Sequence, residues 1–288
     1  MHNLAWIGTG VMGGPMAGHL LDAGYALNVY TRTRAKALPL AGRGARLCDS
    51  VAVCVRGADA VITMVGFVPD VEAVYFGSDG ILENAEPGAL LIDMTTTAPS
   101  LSVRMYEAAK ARGLFALDAP VSGGDVGARN GTLSIMAGGD RQAFDRAMEL
   151  FRHLGKTIHH TGAAGTGQHT KMANQIAICG AIAGACEALT YAEKAGLDPE
   201  NMLSCISGGA AGSWQLSNMI PRVLKDDLNP GFFIKHQVKD LRIAREEAAG
   251  SGAQLPVLEL VAAMYEQLLS EGDGELGTQA LIKAYREG

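Results

Sequence analysis

The chain has 288 residues, 48% of them hydrophobic and only 19% charged, with a formal net charge of −6. That length exceeds the usual size of one domain, so two domains, or one domain with an extension, are expected around a large core. The basic residues form no block or stripe, which argues against nucleic acid as a partner.

Leu4-Ala-Trp-Ile7 reads as a short apolar strand that breaks into Gly8-Thr-Gly-Val-Met-Gly13. Helical periodicity follows over Met16–Leu21, closed by Gly24, and Ala26–Tyr30 is the next strand. Further strands are expected at Ala60–Val65, Ala89–Asp93, Phe115–Ala119, Thr132–Ala137 and Lys156–His160, with helices between them at places such as Ser102–Arg112 and Arg141–Leu154. Strands alternating with helices imply βαβ units, a parallel sheet and right-handed crossovers. After about residue 165 the strand signals stop, and helical patterns take over at 167–195, 199–207, 213–225, 235–251 and 255–270. The expected boundary lies near Thr161–Gly167, giving domains 1–162 and 163–288 with residues 163–195 as the joining helix. No internal repeat is evident.

The N-terminus enters a strand pattern at once, without a basic region or cleavage site, so no signal peptide is expected. The charge-free stretch Met172–Cys186 is too short to span a bilayer, and its small residues suit helix packing. Five cysteines (Cys48, Cys54, Cys179, Cys186, Cys205) are odd in number and lack Cys-x-x-Cys spacing. They are expected as buried thiols in a reducing compartment, the cytoplasm.

Gly8-x-Gly10-x-x-Gly13 follows a strand and opens a helix, the setting its chemistry needs. Glycines allow the backbone to approach a pyrophosphate, and the helix N-terminus supplies free N–H groups and the positive end of its dipole. Gly8, Thr9, Gly10, Val11, Met12 and Gly13 are therefore candidates to hold a dinucleotide. An NAD-type site would place an acid near the end of the second strand to bind the ribose 2′-hydroxyl. Here the residues read Tyr30-Thr-Arg-Thr-Arg34. Thr31, Arg32 and Thr33 suit a 2′-phosphate, so NADP(H) is favoured over NAD(H); an ordinary solvated loop arginine is the alternative. Met64 and Val65, closing the strand 60–65, join the cofactor-side candidates.

Asp118-Ala-Pro-Val-Ser-Gly-Gly124 follows a later strand, on the edge where ligands of open α/β sheets bind. A Ser-Gly-Gly turn exposes consecutive N–H groups and a hydroxyl, a nest for a carboxylate, although it also reads as a plain turn. Thr95, Thr96 and Thr97 offer hydroxyls on the same edge. Gly165-Thr-Gly-Gln-His-Thr-Lys171-Met-Ala-Asn174 then runs from a turn into a helix that becomes almost wholly apolar, and such a helix is expected to be buried. Lys171 and Asn174, three residues apart, share a face. A partly desolvated lysine acts as an acid or base near neutrality; taken alone, it is also readable as a helix-start lysine whose head reaches water.

Four segments, Gly8–Gly13, Asp118–Gly124, Gly165–Asn174 and Lys239-Asp-Leu-Arg-Ile-Ala244, stand in order over essentially the whole chain. Together they resemble the β-hydroxyacid dehydrogenase family, whose members include 3-hydroxyisobutyrate dehydrogenases, tartronate semialdehyde reductases and glyoxylate/succinic semialdehyde reductases. The resemblance implies an α/β Rossmann-type N-terminal domain, a long interdomain helix and an all-α C-terminal domain, with the active site in the cleft. It implies Lys171 as the catalytic lysine, Ser122, Gly123 and Gly124 as the substrate-carboxylate loop, and Asn174 as a substrate contact. It further implies Thr96 beside the nicotinamide, Lys239 on the cofactor side and Arg32 as the mark of NADP preference. The expected reaction is reversible hydride transfer between NADP(H) and a short carboxylate bearing a β-hydroxyl or an aldehyde.

The segment Gly274-Glu-Leu-Gly-Thr-Gln-Ala280 departs from the Asp-x-Ser-Ala pattern of several branches, and Trp214, Phe232 and Phe233 are candidates for walling the substrate. Rival readings are an imine reductase, a 6-phosphogluconate-dehydrogenase-like activity, and a non-catalytic NADP-binding or assembly module. Lys171 argues against the first, the scarcity of basic residues against the second, and Lys171 with Asn174 against the third. No metal is expected: His159 and His160 are adjacent on a strand and point to opposite faces. Asp226 and Asp227 read as part of a turn. The glycine- and alanine-rich helices favour a homodimer or homotetramer.

Overall fold

A computed structural model describes residues 1–286. The chain divides into two compact units, with the division between Lys171 and Met172.

The first unit begins β1 (Asn3–Ile7), α1 (Gly13–Asp22), β2 (Ala26–Tyr30), α2 (Leu38–Ala41), β3 (Arg46–Leu47), α3 (Val51–Val55), β4 (Ala60–Thr63), α4 (Val68–Phe76), α5 (Ile81–Asn84), β5 (Leu90–Asp93) and α6 (Pro99–Lys110). It continues with β6 (Phe115–Asp118), β7 (Val121–Ser122), α7 (Gly124–Asn130), β8 (Leu133–Gly139), α8 (Arg141–Leu154) and β9 (Gly155–Gly162), and it closes on the start of α9 (Thr166–Lys194). The strand order is β3-β2-β1-β4-β5-β6-β8-β7, with β9 beside β8.

Pairings from β3 through to β6 are parallel, as is β8 with β9. The sheet is predominantly parallel, as expected, with one local exception: β8 runs antiparallel to both β6 and β7. A parallel return needs a crossover of about a dozen residues or more. The stretch 123–132 between β7 and β8, mostly the single short helix α7, is too short for one.

Alternation along the strands builds a core on each face of the sheet. Leu4 and Trp6 of β1 pack with Met16, Ala17 and Leu20 of α1 and with Phe144, Ala147, Leu150 and Phe151 of α8. Ala5 and Ile7 pack on the opposite face with Val51 and Cys54 of α3, Val71 and Tyr75 of α4, and Leu101 and Met105 of α6. Both faces are covered, which is why the central strands carry apolar residues almost without interruption.

The second unit holds the rest of α9, then α10 (Pro199–Ile206), α11 (Ile220–Val223), α12 (Ile234–Ser251), α13 (Pro256–Ser270) and α14 (Lys283–Arg286). Among its described residues the regular elements are helical, and the β-pairing is one isolated bridge, Phe233 with Gly277. The helix expected over 213–225 is broken into a π-helical turn at Gln215–Met219 followed by α11. Pro221 in the first turn of α11 has no N–H to continue an unbroken α-helix.

Two further expectations are corrected. Helix α9 is not buried all round within this chain, because Ala177 and Gly184 are exposed and Tyr191 is 72% exposed. At 29 residues it is also long and apolar enough to cross a membrane by length and composition. Its first turns, however, are hydrogen-bonded to β6, the setting of a core helix. All five cysteines are free, but Cys205 is exposed, since Leu203 is the buried residue of short α10.

Candidate active site

The loop after β1 is shaped by its glycines. Gly8 has φ +99° and donates its N–H to the Tyr30 carbonyl at 2.9 Å. A Cβ there would lie 2.2 Å from the Met64 carbonyl oxygen, and one at Gly13 would lie 2.1 Å from the Gly8 oxygen. The Trp6 indole Nε1 donates to that same Gly8 oxygen at 2.7 Å, so a core side chain pins the loop from beneath. Gly10 differs, with no atom within 4 Å of its would-be Cβ. Thr9 is buried, and its Oγ1 has no hydrogen-bond partner among the described residues. Among the described residues, no side chain caps the N-terminus of α1. Open space above Gly10, an orphaned hydroxyl and an uncapped helix start fit a dinucleotide pyrophosphate. Val11 is exposed at the rim and Met12 half-buried.

The neighbouring loops are cross-tied. Val65, half-buried with Met64, donates its N–H to Thr95 Oγ1 at 3.0 Å. Thr31 is half-buried, Thr33 exposed, and Arg32 pairs with Asp70 of α4, Nη1 to Oδ1 at 2.7 Å. Thr95 and Thr97 are buried while Thr96 between them is half-buried. Buried Gln168 holds this run: its Oε1 accepts the Thr97 N–H at 3.1 Å and its Nε2 donates to the Thr95 carbonyl at 2.8 Å. Below, Asp93 Oδ1 accepts from Thr63 Oγ1 at 2.7 Å and from the Thr95 N–H at 3.1 Å. Burial pushes the Asp93 carboxyl up to about 6, with the Asp118 charge adding to the effect.

Asp118, ending β6, seats the start of α9. Its Oδ1 accepts the Gly165 N–H at 2.7 Å and its Oδ2 the Gln168 N–H at 2.9 Å. A Cβ at Gly167 would stand 2.7 Å from Oδ2, so only glycine permits this approach. A carboxylate here also meets the positive end of the helix dipole. Burial nonetheless raises Asp118 to about 6, outweighing its hydrogen bonds. Lys171 follows Gln168 by three residues and is 6% exposed, so the lysine does not lie along the surface.

Ser122 is half-buried at the end of β7. Gly123 and Gly124 after it have φ +129° and +61°, a conformation that side-chain-bearing residues rarely adopt. Gly123 is the N-cap of α7, so the turn leads directly into the start of a helix, whose first N–H groups have no partner within the helix. Asp125, next in sequence, is paired with Arg129 at 2.5 Å. His19 of α1 ties to the Ala128 carbonyl of α7 at 2.9 Å, linking the helices that follow the two glycine turns.

In the second unit, Asn174 Nδ2 donates to Gln175 Oε1 at 2.8 Å, and Gln175 Nε2 donates to Asp240 Oδ2 at 2.7 Å. Lys239 Nζ stands 3.0 Å from Asp240 Oδ1. Asn174 and Lys239 are thereby joined through buried Gln175 and Asp240. His236, one turn before Lys239, is pushed down to about 4 by burial, helped by the Lys239 charge. It stacks on Phe232 with ring centroids 6.2 Å apart. Phe232 and Phe233 are half-buried, whereas Trp214 is 52% exposed. Asp227 closes a turn by accepting from Arg222 and Asn229. His160 bonds to the Gly139 carbonyl, and the described residues hold no metal-binding group of three or more His, Cys, Asp or Glu.

The sequence reading missed Asp70, Gln168, Gln175 and Asp240. Gln168 carried one legible signal, its place one turn before Lys171 on the same helix face. Asp70, Gln175 and Asp240 have near neighbours as partners too, but the contacts that tie them to other elements, with Arg32 and between Gln175 and Asp240, are distant in sequence.

Comparison with known proteins fits this arrangement. Residues 3–162 match the NAD binding domain of 6-phosphogluconate dehydrogenase, and residues 165–285 match the family described as NAD-binding of NADP-dependent 3-hydroxyisobutyrate dehydrogenase. An uncharacterised oxidoreductase of Bacillus subtilis is 52% identical over 282 residues, covering 98% of each chain. A 3-hydroxyisobutyrate dehydrogenase of Pseudomonas aeruginosa is 37% identical over 296 residues, covering 99% of each. The solved structure of a Mycobacterium tuberculosis 3-hydroxyisobutyrate dehydrogenase with L-serine is 31% identical, covers 99% of both chains and superposes with a TM-score of 0.90. The chain belongs to the β-hydroxyacid dehydrogenase family of NAD(P)-dependent oxidoreductases.

Proposed function

We propose that this protein interconverts a short β-hydroxy carboxylate and its semialdehyde, of the 3-hydroxyisobutyrate, tartronate semialdehyde or glyoxylate class, with NADP(H) favoured over NAD(H). The observation that carries the proposal is Lys171, buried on a helix whose first turn is bonded to the strand leading into the Ser122–Gly124 turn. The Mycobacterium tuberculosis relative was solved with L-serine, itself a short β-hydroxy carboxylate. In this reading residues 1–162 bind the cofactor, residues 163–288 form the helical domain and α9 joins the two.

When bound, the nicotinamide supplies or accepts the hydride. Gly8–Gly13, Thr31, Arg32, Thr33, Met64 and Val65 hold the cofactor, with Thr96 and Lys239 toward its reactive end. The N–H groups of Gly123 and Gly124 and the hydroxyl of Ser122 hold the substrate carboxylate, and Asn174 orients its oxygen function. In reduction Lys171 as ammonium polarises the carbonyl oxygen and delivers a proton to it. In oxidation neutral Lys171 removes that proton. Positioned acid–base help of this kind contributes about 10²–10⁴ in rate.

Lys171→Ala is therefore expected to lower kcat by that range while NADPH binding persists, measured by NADPH oxidation with a panel of semialdehydes and by fluorescence titration. Near-normal turnover in the variant would refute the assignment. Arg32→Ala is expected to raise KM for NADPH and leave NADH nearly unchanged.

The exposed small residues Ala177 and Gly184 on α9 support assembly as a homodimer or homotetramer, which light scattering tests. Five free thiols suit a reducing compartment such as the cytoplasm.

A further inference from the structure

The residues that follow β2 contain no acid, yet the fold brings one there from elsewhere. Asp70 of α4 lies 2.7 Å from the Arg32 guanidinium. Strands β2 and β4 flank β1 in the sheet, so this ion pair spans the edge of β1 beside the Gly8–Gly13 loop. We infer that Asp70 is a cofactor-specificity residue: its carboxylate and a cofactor 2′-phosphate compete for the guanidinium of Arg32.

The two partners are held very differently. Asp70 is fixed by its other oxygen, which accepts the Phe67 N–H at 3.1 Å and caps α4, and its side chain is 17% exposed. Arg32 is 77% exposed, a long side chain free to swing about a stationary acid. A 2′-phosphate approaching Arg32 meets both a competitor for the guanidinium and a repelling negative charge. A bare 2′-hydroxyl meets neither obstacle, because a carboxylate accepts its hydrogen bond, the arrangement by which NAD-type sites read the ribose. Asp70 therefore draws the preference back toward NADH and makes it less strict than Arg32 alone would set. An ion pair this exposed is weak, so the effect is a matter of a few fold.

The inference rests on the reading that Arg32 faces the 2′-phosphate, and the experiment separates the two. Asp70→Asn removes the charge and keeps an oxygen for the Phe67 N–H. Dissociation constants are measured by fluorescence titration for NADPH and NADH, and by calorimetry for 2′,5′-ADP and 5′-AMP. NADPH and 2′,5′-ADP should bind roughly two- to fivefold more tightly, with NADH and 5′-AMP unchanged or weaker. An unchanged NADPH:NADH ratio, or equal shifts for all four ligands, overturns the role of Asp70. If Arg32→Ala weakens all four alike, the reading of Arg32 falls and the inference with it. If Arg32→Ala is selective for the phosphorylated pair and Asp70→Asn is silent, only the inference falls.

Discussion

The carboxamide of Gln168 brackets Thr96, accepting the N–H of the residue after it at 3.1 Å and donating to the carbonyl of the residue before it at 2.8 Å. Gln168 lies one turn before Lys171 on α9, so the threonine run is bonded to the helix that carries the lysine. A rigid helix and a doubly held loop are what precise placement of reacting groups needs.

Replacing Gln168 by leucine strands a buried N–H and a buried carbonyl, each costing about 1–3 kcal/mol. The expected result is a lower Tm and a kcat reduced about tenfold or more, with little change in NADPH affinity. Gln168→Glu provides a check specific to the donor: ionised, it can accept from Thr97 but cannot donate to Thr95. Its activity relative to the native enzyme should recover as pH falls and the carboxyl gains its proton. A constant relative activity across pH would count against the clamp.

Asp93 and Asp118 are both raised to about 6 by burial, above the ordinary 3.8. Between those values the folded protein keeps protons that the unfolded chain has shed, so stability falls as pH rises through the window. Below about pH 4 both states are protonated and the penalty vanishes; above about pH 6 it is complete, roughly 3 kcal/mol per group at most. Asp93→Asn keeps the Oδ1 acceptor for Thr63 and the Thr95 N–H, and should flatten the slope seen in urea unfolding from pH 4.5 to 7.5. An unaltered slope would show that Asp93 does not titrate there.

Gly13 and Gly10 should separate folding from cofactor binding. Gly13→Ala forces a Cβ onto the Gly8 carbonyl, so it should lower Tm without any cofactor present. Gly10→Ala meets nothing in the protein, so its Tm should stay native. The rise in Tm that NADPH causes in the native protein should nonetheless shrink or disappear. Thermal scans with and without NADPH decide it, and a Gly10→Ala protein stabilised as strongly as the native one would place the pyrophosphate elsewhere.

Asp240 joins Gln175 to Lys239 inside the second unit. Removing one member of a buried charged network costs about 3 kcal/mol or more, so Asp240→Ala should be strongly destabilised in urea. Pairing Asp240→Leu with Lys239→Met should recover part of that stability while activity stays low, because charge is lost together with its partner. Failure of the double variant to regain any stability would mean that packing, not charge, is the main contribution of Asp240.

Much of the architecture is legible without the fold. Ala26–Tyr30 and Arg141–Leu154 have the bounds their periodicity indicates, because a two-residue or a 3.6-residue repeat is a local property. The glycines at 8 and 13 mark a loop for the same reason: positive φ and close approach are demands made at single positions. Apolar pattern alone gave no warning that β8 would reverse, or that α9 would leave one side exposed.

What the chain determines by itself is the order of its strands and helices, the two glycine turns and the place of Lys171 near a helix start; that Lys171 is buried there is decided by the fold. Only the tertiary structure decides the company those residues keep. Arg32 meets Asp70 across a strand, Asp118 receives the start of α9, Gln168 locks the threonine run, and Gln175 meets Asp240. A buried polar group must find a partner of matching geometry, but the choice among distant candidates is made by packing of the sheet and helices rather than by any local pattern.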